Sequence, residues 1–346
     1  MAPTAPLANG LYVKDLAQSP DLKSVPSEFT FANDSKGSNS DTLPVVDFSM
    51  LVSDNADQRS KALLDLAKAC EDWGFFVLIN HGIPETLMEA IIDASLEFFD
   101  LPEDEKRYEA KSASDPVKSG TGTANAANHK ILLWRDFVKS YVHPRFYCPD
   151  KPRRLRDIVS EYSERSRSVL RELLQGISEN LELEAGSMDE TLNLDSCFQL
   201  YAANFYPPCP EPDLTIGIPP HTDHGLLTFL IHNGVAGLQI QHKGEWFHTN
   251  SPKNSILVNT ADHLEIFSNG RYKSVKHRAV VNTEATRISV VLANGPAPEV
   301  VVSPSVELVK RDGRALYGPM KYIEYVETML SNRYDGKGNL ECLKIQ

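Results

Sequence analysis

The sequence lacks a stretch of about 18 consecutive apolar residues, so no segment is suited to span a bilayer as a helix. It is poor in cysteine. Cys70, Cys148, Cys197, Cys209 and Cys342 are odd in number, scattered, and form no CxxC pair. That excludes a disulfide framework or a zinc ribbon as the organising device, and implies reduced thiols in a reducing compartment. Basic residues are outnumbered, 35 Lys and Arg against 47 Asp and Glu, giving a net charge of -12. Without a basic stripe to neutralise phosphates, nucleic acid is not an expected partner. The opening MAPTAPLANG has no basic region ahead of an apolar one, as a secretory leader needs, and Asp15 and Asp21 argue against a transit peptide. A cytoplasmic monomer with no membrane partner is expected.

What is present is an ordinary globular balance, 41% hydrophobic and 24% charged, over 346 residues. Residues 1–40, rich in Ser, Pro, Asn and Asp, are expected to be an arm, loosely held or docked on the body. Residues 41–190 contain a short strand candidate, LPVVDF, and a helix from about Gln58 to Trp73 that Gly74 closes. There follow a buried strand FFVLIN, a helix opened by Pro84, and a long helix over about Arg154 to Glu182. The Ser/Gly/Ala/Asn-rich segment from about Lys111 to Lys130 reads as a loop. From 195 to 302 the pattern changes to short apolar runs separated by turn signals such as Asn233-Gly234 and Asn269-Gly270, which suggests a sandwich or barrel. Residues 303–346 end in a helix near Pro319 to Arg333. The fold class is therefore mixed α/β, one barrel wrapped by helices.

Chemistry concentrates in the barrel region. His221 and Asp223 are two residues apart, so an extended chain puts both side chains on one face. A bare HxD is common, and a third ligand has to come from elsewhere. His277, inside SVKHRAVV, is the candidate, although alone it would read as a packed core histidine. Two histidines and one carboxylate form a facial triad that leaves half of an octahedral iron's positions open. A structural zinc site would be closed and rich in thiolate. Arg287 and Ser289 share a face of RISVVLA, where a buried guanidinium needs an anion and its planar fork suits a carboxylate. Asn204 and Tyr206 share another face, just ahead of a Pro-rich stop.

NFYPPCPEPDLTIGIPPHTDHGLLTFL, NGRYKSVKHRAVVN and RISVV, with WGFFVLINHGIP and WRDF, resemble the plant 2-oxoglutarate- and Fe(II)-dependent dioxygenases of specialised metabolism. The resemblance runs from about Leu43 to the C-terminal helix. It implies a double-stranded β-helix, or jelly roll, enclosed by helices. It matches His221, Asp223 and His277 to the catalytic iron ligands. Arg287, Ser289 and Tyr206 match the residues around the far carboxylate of 2-oxoglutarate, and Asn204 lies close by. Fe(II), 2-oxoglutarate and O2, with ascorbate as reductant, are the implied cofactors, and succinate and CO2 the co-products. The outcome would be hydroxylation, desaturation or ring closure of a small molecule.

By the same resemblance, Ala202, Ala293 and Gly295 occupy pocket positions that carry larger or charged groups in flavonoid-oxidising relatives, while Phe137 and the 131–139 segment line the other side. Small, uncharged walls imply a bulky, fairly apolar metabolite. His224, facing away from both ligands, reads as structural, and His232, His242 and His248 as solvated residues near turns. His263 stands where relatives often have Gln. Cys209 reads as a small buried residue. Two rivals share the scaffold: an oxidase that uses no 2-oxoglutarate, which also keeps an RxS pair, and a non-catalytic small-molecule binding protein, which would have lost the triad. A zinc hydrolase would leave Arg287 and Ser289 without a role.

Overall fold

The structure is a computed structural model that describes residues 12–31, 37–38, 42–108, 115–126, 129–249, 251–332 and 338–345. Asn55 caps the first long helix, Ala56–Lys68, by accepting from the backbone N–H groups of Asp57 and Gln58. The helix buries Ala62 and Leu66 and runs into a π-helical turn at Ala69–Trp73. Gly74 ends it at φ +63°, and a Cβ there would lie 2.6 Å from the Lys273 carbonyl, so glycine is required twice over.

Twelve strands build two sheets. They are β1 Val45–Asp47, β2 Phe75–Ile79, β3 Val117–Ala126, β4 His129–His143, β5 Phe198–Tyr206 and β6 Ile218–His221. Then come β7 Leu227–His232, β8 Leu238–His242, β9 Glu245–His248, β10 Ile256–Thr260, β11 His277–Ala279 and β12 Arg287–Gly295. The larger sheet has the order β1-β2-β10-β7-β12-β5-β4-β3 and the smaller β6-β11-β8-β9. The two form the jelly roll, and helices cover it. Four of the eight strands of the larger sheet, β1 to β4, come from the 41–190 region, so this sheet crosses the division expected near residue 190. The FFVLIN run is buried because β2 is flanked on both edges, by β1 and β10.

Helices Glu85–Asp100 and Arg153–Asn180 pack on the outer face of the larger sheet. Ile91, Phe98 and Phe99 meet Phe205, Ile288 and Val290, while Tyr162, Val169, Leu173 and Ile177 form the stripe of the longer helix. Each such side chain contributes about 1.5–3 kcal/mol through burial. The helix Tyr322–Asn332 closes one end of the roll with Tyr322, Tyr325 and Val326. Among the described residues no helix is long and apolar enough to cross a membrane.

One expectation changes, and one that was left open is decided. The segment from 111 to 130 is not simply a loop, because Val117–Ala126 forms β3, paired with β4. Its small residues have a packing reason: a Cβ at Gly122 would come within 2.9 Å of the Arg135 guanidinium. An edge strand of Gly, Ser and Thr carries no apolar alternation for a sequence reading to detect. Within the N-terminal arm, residues 12–31 are docked. Val13, Val25 and Phe29 pack with Trp134 and Tyr206, and the Asp136 carboxylate accepts from the N–H groups of Val13 (2.9 Å) and Lys14 (2.8 Å).

Candidate metal centre

β6 ends at His221, and β11 places His277 directly opposite it in register. Asp223 follows in the turn after β6. One ligand atom from each of the three lies within 4.8 Å of the others. Asp223 Oδ1 is 3.8 Å from His221 Nε2 and 3.7 Å from His277 Nε2, and the two imidazoles are 4.2 Å apart between centroids.

The second layer fixes which atoms point inward. His221 Nδ1 donates to the Pro219 carbonyl at 2.8 Å and His277 Nδ1 to that of Val275 at 3.2 Å, which leaves both Nε2 lone pairs facing Asp223. Asn259 on β10 donates its amide to Asp223 Oδ2 at 2.9 Å. Burial, reinforced by the neighbouring His277, pushes the His221 pKa down to about 3, so it is a neutral ligand at ordinary pH. Burial works against the Asp223 carboxylate, but His277, His221 and the Asn259 amide outweigh it and hold its pKa below the usual range. Two imidazole nitrogens and an ionised carboxylate, converging without thiolate, are a donor set that suits a divalent iron.

Arg287 begins β12 opposite Tyr206 of β5, with its guanidinium 5.1 Å from the Tyr206 ring and hydrogen-bonded to it. It is 2% exposed, its Nε finds no hydrogen-bond partner, and it has no carboxylate partner among the described residues. Ser289, two residues on, pairs with Asn204 on one side and His232 on the other. Sequence reading therefore brought together residues that the fold also brings together: the three ligand candidates, and Arg287 with Ser289, Tyr206 and Asn204.

The pocket residues divide. Ala202 and Ala293 are buried on β5 and β12. At Gly295 a Cβ would lie 2.1 Å from the Tyr322 hydroxyl, so packing of the C-terminal helix accounts for this glycine. Nor is the opposite wall uncharged: Phe137 lies between Arg135 (5.4 Å) and Lys139 (5.6 Å), all on one face of β4. Arg135 donates to Asn204 Oδ1 at 3.1 Å.

His224 turns away from the triad and bonds the Tyr322 hydroxyl at 2.7 Å. His263 donates to the His224 carbonyl, and its ring is edge-on to Tyr322 and Tyr325. That gives the departure from Gln a packing role. The histidines expected in solvent are engaged. His232 bonds Ser251, His242 stacks on Trp73 at 3.9 Å, and His248 meets Gln239. Sequence reading missed Asn259, and it placed the 131–139 segment at the pocket without singling out the charges of Arg135 and Lys139. The available signal was a polar or charged residue at alternate positions of an otherwise apolar strand.

Residues 197–296 match the model of the 2OG-Fe(II) oxygenase superfamily, and residues 43–160 that of the non-haem dioxygenase in morphine synthesis N-terminal family. The chain is 45% identical to 2-oxoglutarate-dependent dioxygenase 19 of Oryza sativa subsp. japonica, over 91% of this chain and 94% of that one. It is 35% identical to Protein DMR6-LIKE OXYGENASE 1 of Arabidopsis thaliana (91% of this chain, 87% of that one). It is also 35% identical to a leucoanthocyanidin dioxygenase of Malus domestica (83% of each). Its fold superposes on the crystal structure of JOX2 in complex with 2OG, Fe and JA with a TM-score of 0.88, at 27% identity, covering 97% of this chain and 98% of that one. The chain belongs to the plant 2-oxoglutarate- and Fe(II)-dependent dioxygenases, oxidoreductases whose cofactors are Fe(II), 2-oxoglutarate and O2.

Proposed function

We propose that His221, Asp223 and His277 hold the iron, and that the protein oxidises a small plant metabolite with a bulky apolar body, by hydroxylation, desaturation or ring closure, releasing succinate and CO2. One observation carries this reading. A three-ligand cluster with both imidazole Nε2 atoms turned inward shares its lumen with a buried guanidinium that lacks a carboxylate partner among the described residues. A dicarboxylic keto acid meets both needs, since one end can chelate a metal while the other neutralises Arg287. Ser289 and Tyr206 supply hydroxyl hydrogen bonds to that far carboxylate, and Asn204 lies in the adjacent position across the strand pair.

Bound iron supplies the activation of O2 and the oxidative decarboxylation of 2-oxoglutarate. The chain's own residues position and protect. Asn259 holds the Asp223 carboxylate in place, and the Pro219 and Val275 carbonyls hold the histidine tautomers. Leu230, Val291 and Phe137 provide apolar wall against which a substrate can displace water. JOX2 holds JA together with 2OG and Fe, which supports a third, small-molecule component beside the metal and co-substrate here. The reading includes ascorbate as reductant and a monomer acting in the cytoplasm, consistent with five free cysteines.

Equilibrium dialysis under argon tests the assignments. Wild type is expected to take up Fe(II) stoichiometrically and then 2-oxoglutarate. His221→Ala loses the iron, whereas Arg287→Ala keeps iron and binds 2-oxoglutarate about a hundredfold more weakly. Unchanged 2-oxoglutarate affinity in Arg287→Ala would remove that residue from the site.

A further inference from the structure

The oxygenase reading of this site leaves the chemistry of the substrate open, and the inference here rests on that reading and deepens it. His224 follows Asp223 directly but is not one of the three ligands. Its ring turns from the triad toward the inner wall of the larger sheet, where it meets the Phe198 ring edge-on with 6.0 Å between centroids.

Phe198 begins an apolar patch. On β5 it alternates with Leu200, Ala202 and Asn204, so all four share the inner face of the roll, with Asn204 at its co-substrate end. Across the register Leu200 meets Ala293, and Ala202 meets Val291, on β12. β5 and β12 are interior strands of the larger sheet. A residue with strands on both sides is exposed only where its face opens on a cavity. Leu200 and Val291 are partly exposed while Ala203, Val290 and Leu292 are buried, so the patch faces the chamber. Phe198, Leu200, Ala202, Val291 and Ala293 carry no side-chain donor or acceptor. His224 supplies a polar atom at the edge of this patch.

Tyr322 decides what kind of polar atom it is. The Tyr322 hydroxyl is 2.7 Å from His224 Nδ1. This tyrosine is fully buried, and Nδ1 is the one hydrogen-bond partner of its hydroxyl among the described residues. A buried hydroxyl left without an acceptor costs about 1–3 kcal/mol. The hydroxyl therefore donates, Nδ1 accepts, and the ring proton of His224 sits on Nε2. Phe198 at 5.6 Å and His263 at 4.8 Å hold the Tyr322 ring edge-on, and Gly295 leaves the room that its hydroxyl occupies. His224 is partly exposed. Its Nε2 has no partner among the described residues, and it is not sealed from solvent as His263 Nε2 is. A fixed N–H donor thus stands open beside an apolar surface, one residue from a metal ligand. An apolar chamber orients its ligand through the few polar groups it has.

We propose that the substrate carries a hydrogen-bond-accepting oxygen, a carbonyl or an ether, on its apolar body. His224 donates to that oxygen from Nε2 and is a specificity-determining residue. Tyr322 is a positioning residue that fixes the donor tautomer.

The positioning role is read by NMR of isotope-labelled histidines in the full chain loaded with Zn(II), a diamagnetic stand-in for iron, with His224→Gln identifying the signals of His224. Wild type is expected to show the Nε2–H tautomer and Tyr322→Phe a mixture of both. The Nδ1–H tautomer in wild type overturns the assignment. The substrate class is read with camphor beside camphane and coumarin beside naphthalene. Binding is measured under argon to the Fe(II) protein saturated with 2-oxoglutarate. For at least one pair, the preference for the oxygenated ligand is expected to be about threefold to tenfold larger in wild type than in His224→Leu, the worth of one hydrogen bond. His224→Gln, which keeps a donor, is expected to retain most of it. Equal preferences in wild type and His224→Leu for both pairs, or no binding of any of the four, overturn the proposal. Failure of wild type to bind 2-oxoglutarate would instead count against the oxygenase reading, and the tautomer spectra would still decide the role of Tyr322.

Discussion

At the scale of single residues, alternation carried the sequence reading. His221, Asp223 and His224 divided as an extended chain divides them, two toward the cluster and one away, although the strand itself stops at His221. The partners of these residues were not legible, because they arrive from strands distant in sequence. Asn259 reaches Asp223 across 36 positions, and Arg135 reaches Asn204 across 69. His263 gives a prediction at this scale. Burial pushes its pKa down to about 3, Nδ1 donates to the His224 carbonyl, and Nε2 is buried without a hydrogen-bond partner among the described residues. A base whose folded pKa lies below its unfolded value of about 6.5 gives stability above pH 6.5 that is lost as the pH falls toward 3. At pH 5 that loss is about 2 kcal/mol. Urea denaturation of His263→Gln at pH 7 and pH 5 should show a pH dependence flatter by about that amount. Parallel losses in wild type and variant would mean that His263 is not the neutral group inferred here.

At the scale of elements, the apolar segments were legible and the polar ones were not. β2, β7 and β12 announced themselves as apolar runs. β3 did not, because an edge strand of small residues is specified by what it covers, here Arg135. For the N-terminal segment docking was one of the two placements expected, but what anchors it was hidden. Its anchor is the fully buried Asp136, which accepts from Val13 N, Lys14 N and the Thr121 hydroxyl. Burial raises its pKa to about 6 against those donors and Lys106. Removing the acceptor strands three donors at once. Asp136→Ala should therefore cost about 3 kcal/mol, and trypsin should cut at the exposed Lys23 faster than in wild type. Unchanged cleavage would show that the packing of Val25 and Phe29 holds the segment without Asp136.

At the scale of the whole molecule, the jelly roll is shared between the two matched family segments. Four strands of the larger sheet come from before residue 190 and four from after 195. The metal ligands and the Arg287 site belong to the second part, yet the chamber above them is walled by β4 from the first. The division of labour expected from sequence, a region of helices and strands packed on a separate catalytic barrel, therefore describes the site less well than one roll drawn from both. Patterning identified apolar strands such as β2, β5, β7 and β12 but could not say that residues 129–143 would form β4 beside β5, because pairing is decided by long-range registry.

The central claim, that the three ligands and Arg287 serve one oxidation of a small molecule, is tested most directly by succinate release. Wild type, His221→Ala and Arg287→Ala would be incubated with Fe(II), ascorbate, O2 and 2-oxoglutarate across a panel of plant metabolites. The account predicts that particular metabolites raise succinate release by wild type, one succinate per oxidised product, and that both variants lose this response. Oxidation of a metabolite by wild type with no 2-oxoglutarate consumed, or an undiminished response in Arg287→Ala, would contradict it.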